Sequence, residues 1–171
     1  MSAATFEQHW VSRRAFLGGR QAPKFRRILP PGATDDGLLA CSGCGSCLEQ
    51  CPTHIISLVE DLPTLNFSLG ECTFCGECAE ACPEQVFHGK SSRRFPHVAL
   101  ITDSCRAQNP IECQSCRDAC PEQAIHFRPQ AGGPFLPVLD EGSCNGCGAC
   151  ISVCPVTAIK VRDLAQGAAH A

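Results

Sequence analysis

Sixteen of the 171 residues are cysteine, and their spacing repeats. Cys41, Cys44, Cys47 and Cys51 stand two, two and three residues apart and are followed by Pro52. Cys72, Cys75, Cys78 and Cys82 repeat this ahead of Pro83, and Cys144, Cys147, Cys150 and Cys154 ahead of Pro155. The remaining run, Cys105, Cys113, Cys116 and Cys120 before Pro121, differs only in a longer first gap. No cysteine is left over. Disulfide frameworks join distant segments at irregular spacings, and structural zinc uses two separated Cys pairs around a tetrahedral ion. A triple at this spacing suits neither. The composition makes crosslinking necessary: the 44% hydrophobic share includes the cysteines, and the aromatics are nine Phe, one Trp and no Tyr. A chain so poor in large apolar side chains cannot be held by a hydrophobic core alone.

The runs resemble those of bacterial ferredoxins, which bind [4Fe–4S] clusters. Three thiolates on one tight loop can wrap a face of a cubane, and small residues such as Gly43, Gly45 and Gly146 let the backbone approach the sulfurs. The fourth cysteine follows about one helical turn later, and the proline after it turns the chain away. Other classes are poorly supported. No run approaches the ~18 apolar residues of a membrane span. The formal net charge of −3 is no global nucleic-acid footprint. No Walker loop, dinucleotide fingerprint or hydrolase elbow is present. We therefore expect no catalytic residue and no enzyme activity of the chain's own.

The runs fall into two pairs, an internal repeat that predicts an α+β chain of two tandem units. The expected boundaries are a basic arm at 1–36, one dicluster unit at 37–96, a second at 97–164, and a flexible tail at 165–171. Hairpin strands are predicted at 54–59 with 64–69, and at 124–127 with 135–139. Outer strands are predicted at 98–101 and 158–161, and short helices at about 48–51, 79–82, 117–120 and 151–154. Ile55, Phe67, Phe74, Val86, Ile125, Val138 and Ile159 are expected to exclude water from the clusters and fill the small core.

Charge is lopsided. Residues 1–30 carry Arg13, Arg14, Arg20, Lys24, Arg26 and Arg27 against Glu7 alone, a net of +5, which leaves −8 on the rest. A [4Fe–4S]²⁺ core with four thiolates carries −2, so four of them would take the chain to about −11. A basic arm on so acidic a body reads as a docking or address segment, or as one that folds back on the body. Ser12-Arg13-Arg14-Ala15-Phe16-Leu17 resembles a twin-arginine export motif, yet no apolar stretch follows. The expected compartment is the reducing cytoplasm, which suits sixteen thiolates. Phe6, Trp10 and Leu17 are spaced for one face of a short helix. A second basic cluster, His88, Lys90, Arg93, Arg94 and His97, lies between the units, where it could receive an acidic partner or be a solvated loop. The histidines are expected to be surface or hairpin residues.

Together, the leader with Ser12-Arg13-Arg14, the run Cys72-Thr73-Phe74-Cys75, the stretched Cys105 to Cys113 gap, Ile125-His126-Phe127-Arg128-Pro129 and the final Cys144-Asn145-Gly146-Cys147-Gly148-Ala149-Cys150 resemble the NapF family. These ferredoxin-type proteins are accessory factors encoded with periplasmic nitrate reductases. The resemblance implies pseudo-twofold βαβ-βαβ units of the bacterial dicluster type, here duplicated. It implies clusters on Cys41, Cys44, Cys47 with Cys82; on Cys72, Cys75, Cys78 with Cys51; on Cys144, Cys147, Cys150 with Cys120; and on Cys105, Cys113, Cys116 with Cys154. That makes four [4Fe–4S] clusters, or three if the stretched run holds none. It further implies a cytoplasmic partner, the precursor of the catalytic molybdenum subunit of nitrate reductase, whose maturation the protein would assist, with Arg13 and Arg14 as partner-binding candidates and a separate electron donor. The cysteines serve equally well for a plain electron carrier or an electron-transfer subunit of a larger oxidoreductase.

Overall fold

The computed structural model describes residues 27–88 and 92–164. Arg13, Arg14, Phe6, Trp10, Leu17, Lys90 and the tail 165–171 lie outside the described residues. Among those described, six short strands pair antiparallel into three two-stranded ribbons, with four single-turn helices between them. β1 (Ile56–Val59) and β2 (Leu62–Leu65) form a hairpin. Its two-residue turn places Glu60 and Asp61 in the left-handed region, φ 54° and 61°, which gives the turn a twist that matches the right-handed twist of the paired strands. β4 (Ile125–Arg128) and β5 (Leu136–Leu139) form the second hairpin. β3 (His97–Ile101) pairs with β6 (Ile159–Asp163), closing the second half end to end.

Among the described residues the first half has no such outer ribbon. A single bridge, Ala33 to Phe87, stands in its place. The chain from Ile28 to Ala33 packs on that half: Leu65 N–H donates to Ile28 O (2.7 Å), and Pro30 is fully buried. Arg27 pairs with Glu60 at the β1–β2 turn.

Several elements begin or end elsewhere than the sequence predicts, each for a local reason. β1 starts at Ile56 because His54 sits at φ 52°, its N–H donating to Cys51 O (3.0 Å). Gln123 and Thr157 repeat this turn after Cys120 and Cys154. β2 stops at Leu65 because the Asn66 carboxamide accepts from Ser68 N–H (3.1 Å), bending the chain. The helices α1 (Ser46–Glu49), α2 (Glu77–Glu80), α3 (Ser115–Asp118) and α4 (Ala149–Ser152) come two residues earlier than expected. Gly45, Gly76 and Gly148 stand in the left-handed region at the first, second and fourth of these starts (φ 82°, 87° and 87°), so the helix carries the third cysteine of the run and the fourth falls beyond it.

Two buried clusters make the core. One surrounds Ile55, Leu65, Phe67 and Phe95 with Cys47 and Cys51. The other surrounds Val98, Ile125 and Ile159 with Cys116, Cys144 and Cys150. Of the residues expected inside, Ile55, Phe67, Val86, Ile125 and Ile159 are buried, and Phe74 and Val138 are half-buried.

Candidate iron–sulfur centres

The structure gathers twelve of the sixteen cysteines around three cavities. Cys41, Cys44 and Cys47 line the first, about 330 Å³ of partly open space, together with Cys82. Cys72, Cys75 and Cys78 line the second, about 400 Å³, together with Cys51. Cys144, Cys147 and Cys150 line the third, about 410 Å³, together with Cys120. In each case the fourth cysteine belongs to the other run of the pair, delivered across by the hairpin between them. Around the stretched run, Cys105 and Cys113 both act electrostatically on buried Cys116. Cys154 packs against the second core cluster, of which Cys116 is a member. Among the described residues no three His, Cys, Asp or Glu side chains converge as around a single ion. The donor set is instead four soft thiols around a space for a polyatomic group, with Ile55, Ile56, Leu65, Ala99 and Ile125 among the apolar walls. A [4Fe–4S] cluster fits that description.

Electrostatics points the same way. Burial, and then the neighbouring thiols, push Cys78 and Cys150 up to about 12, and Cys116 up to about 11. Burial above all pushes Cys72 and Cys147 up to about 11. Burial likewise raises Cys47, with Cys41 and Cys82 adding to it. Such groups reach the thiolate form together only around a cation, which an iron–sulfur core supplies. Two cysteines move the other way. The Ser46 hydroxyl and backbone N–H hold exposed Cys44 below its ordinary value. At Cys51 burial opposes, but the Thr53 hydroxyl and nearby backbone N–H groups outweigh it. Backbone N–H groups also reach sulfur from Ala124 to Cys120 (3.3 Å) and from Ala158 to Cys154 (3.2 Å).

The loops that line the second and third cavities are joined. Cys72 N–H donates to Cys147 O at 2.9 Å. Phe74, inside the loop of the second cavity, lies 5.2 Å from the Phe95 ring, which stacks on His97 at 4.8 Å. The His97 Nε2 lies 3.0 Å from Gly146 O, in the loop of the third cavity. His97 is therefore not a surface residue; it is buried at the junction. Arg94 is also engaged, donating to Glu141 O and Gly142 O at 2.7 Å each, so the basic cluster between the halves is partly internal. The sequence reading missed this junction. Its one local signal is the apolar Phe95 set among Arg93, Arg94 and His97.

Among the described residues no helix is long and apolar enough to cross a membrane. A family model for the 4Fe–4S dicluster domain matches residues 40–86 and 111–158, the second match leaving Cys105 outside. The chain is 38% identical over 169 residues to the ferredoxin-type protein NapF of Haemophilus influenzae, an alignment covering 91% of this chain and 96% of that one. It is 40% identical over 157 residues to the ferredoxin-type protein NapF of Escherichia coli K12, covering 90% and 96%. Repeated cysteine runs, cavities walled by thiols and these relatives agree: the chain is an iron–sulfur protein belonging to the NapF family of ferredoxin-type proteins.

Proposed function

We propose that the chain carries four [4Fe–4S] clusters on two tandem dicluster ferredoxin-like units. In this reading it is a cytoplasmic accessory protein that acts on the catalytic molybdenum subunit of a periplasmic nitrate reductase before that subunit is exported. The observation that carries the cluster reading is the crossed set: three cysteines of one run and the fourth of its partner run around one cavity, seen three times. The NapF relatives support the nitrate reductase connection. The proposed ligands are Cys41, Cys44, Cys47 and Cys82; Cys51, Cys72, Cys75 and Cys78; Cys120, Cys144, Cys147 and Cys150; and Cys105, Cys113, Cys116 and Cys154. A bound cluster supplies one-electron chemistry. The chain's own residues supply thiolate ligands, apolar walls that exclude water, and N–H groups aimed at sulfur. No independent active site is needed for this role.

Arg13 and Arg14 are the proposed partner contacts. The described chain begins beside the first cavity: Arg27 pairs with Glu60, and the neighbouring Asp61 O lies 3.9 Å from Cys41 Sγ. A partner gripped by the arm would therefore be tethered near that site. The second reading is an electron carrier or electron-transfer subunit. It is favoured by the backbone hydrogen bond between Cys72 and Cys147, which joins the loops lining the second and third cavities and suits through-conduction.

Anaerobic iron and sulfide analysis tests the first layer, with about sixteen of each expected per chain. A value near zero rejects the cluster reading. Pull-down of the cofactor-free molybdenum subunit from cytoplasm tests the second. Equal capture of mature and immature subunit, or capture of neither, rejects maturation and leaves the carrier. Arg13→Ala with Arg14→Ala is expected to weaken capture while leaving iron content unchanged.

A further inference from the structure

The stretched run poses a problem of closure: seven residues intervene where the other runs have two, and the extra chain must fold away without moving Cys105 from Cys113 and Cys116. The structure shows how it does so. Cys105 is anchored from behind, its N–H donating to Thr102 O (3.0 Å), while Thr102 itself holds Ala158 O through both N–H and hydroxyl at 2.8 Å. The chain then makes a 3-10 turn, Arg106–Gln108, with Ala107 buried under it. It returns at Ile111, whose N–H donates to Arg106 O (3.0 Å). Pro110 stops the turn from running on as a helix.

Asn109 ties this excursion shut. Its side-chain Nδ2 donates to Asp103 O (2.8 Å) and to Cys105 O (2.9 Å), the carbonyls on either side of Ser104. Its backbone N–H also meets Cys105 O (3.2 Å), and Gln108 N–H reaches the same oxygen (3.0 Å). Three donors therefore fix the Cys105 peptide plane. Asn109 is itself exposed and fills no core space. Its bonds orient one cysteine.

Resting on the cluster reading above, we propose that Asn109 is a positioning residue of the fourth site: it folds the seven-residue insertion onto itself so that Cys105 serves with Cys113, Cys116 and Cys154 as a [4Fe–4S] ligand.

The test uses the full chain purified anaerobically with its clusters, with Asn109→Asp (same shape, both donors lost) and Asn109→Ala. Two readouts are taken: iron per chain, and alkylation of each cysteine mapped by mass spectrometry. The expected result is iron reduced by up to a quarter, Cys105 labelled several-fold faster than in the parent, and the twelve cysteines of the other three sites as protected as before. Undiminished iron with Cys105 still protected overturns the proposal, as does labelling that rises evenly over all four runs. A second variant replaces residues 106–112 by Ser-Gly, the pair between Cys41 and Cys44. It removes both the excursion and the need for Asn109, and is expected to keep full iron. If it loses the fourth site, closure is not what Asn109 provides. A parent chain with about twelve irons and freely labelled Cys105 rejects this proposal alone; one with no iron rejects the cluster reading beneath it.

Discussion

Replacing Gly148 by Ala is expected to be far more damaging than the same change at Gly45 or Gly76, although all three begin a helix with nearly the same backbone. Each stands at φ between 82° and 87°, where an L side chain costs roughly 1–2 kcal/mol. A Cβ at Gly45 or Gly76 would meet nothing within 4 Å, so that cost is the whole effect there. At Gly148 the Cβ would come 2.8 Å from Phe67 Cβ and closer still to Cγ and Cδ1 of its ring. Phe67 cannot yield easily, because it is 4% exposed and its ring meets Phe95 and His97 edge-on at 5.9 and 5.8 Å. Overpacking of this kind adds about 1–3 kcal/mol, for a total of about 2–5. The assay is loss of the iron–sulfur absorbance in denaturant under anaerobic conditions, followed for the three variants side by side. With about 1.4 kcal/mol per tenfold, Gly148→Ala is expected to bleach about five- to a hundredfold faster than the other two. The effect should shrink to the backbone part when Phe67 is also truncated to Ala. Equal rates for the three single variants, or strict additivity with Phe67→Ala, would refute the reasoning.

Exposure predicts the order of attack on the loaded protein. Cys44 and Cys75 are exposed whereas Cys144, Cys147 and Cys150 are buried, so alkylation and chelation should reach the first two cavities before the third, as read by mass spectrometry at timed intervals. Proton competition has a definite sign. The unloaded thiols of Cys78 and Cys150 titrate near 12, above the ordinary 9.0, so protons compete with iron at all lower pH. Chelator-driven bleaching should therefore accelerate as pH falls from 9 to 6, and a pH-independent rate would count against it. Arg94→Ala removes two hydrogen bonds from a charged donor to carbonyls, each worth about 1.5–3 kcal/mol at most and less at this exposed position. Faster hydrogen exchange at residues 141–147 with unchanged iron content is the expected result.

What was legible in the sequence is what depends on spacing. The fourth cysteine at each cavity, from the partner run, was expected only from the resemblance to dicluster ferredoxins, since spacing says nothing of a thiol brought across by a hairpin. The three cysteines that share one loop in each run were legible, because that spacing is a local property. Hairpins between the runs were legible for the same reason, from alternating apolar residues at Ile56, Leu58 and Leu65. Helix position was not, because three of the four helices start at a left-handed glycine, Gly45, Gly76 or Gly148, and spacing does not show which glycine takes that conformation. His97 looked like part of a basic surface because its neighbours Arg93 and Arg94 are charged; only the pairing of β3 with β6 puts it inside. The bridge from Ala33 to Phe87 lacks any strand pattern, being one residue pair long. The insertion after Cys105 likewise gives no periodic signal, since an asparagine side chain rather than a run of backbone pairs holds it.

The cavities and the core occupy the same places, and this decides what losing iron would do. Each core cluster counts cysteines among its buried members alongside a handful of aliphatic and aromatic side chains. Withdrawing the contents of a cavity leaves the cysteines and apolar side chains that wall it without packing partners on that side. A typical domain is held by only ~5–15 kcal/mol, so losing such contacts at three places is a large perturbation. Little offsets it among the described residues, where Ile55, Val98 and Ile125 are among the few fully buried large side chains. Iron removal and unfolding should therefore be one transition. Far-ultraviolet circular dichroism and cluster absorbance are expected to fall together on chelation, and helix and strand signal that outlasts the absorbance would show that the apolar residues alone suffice.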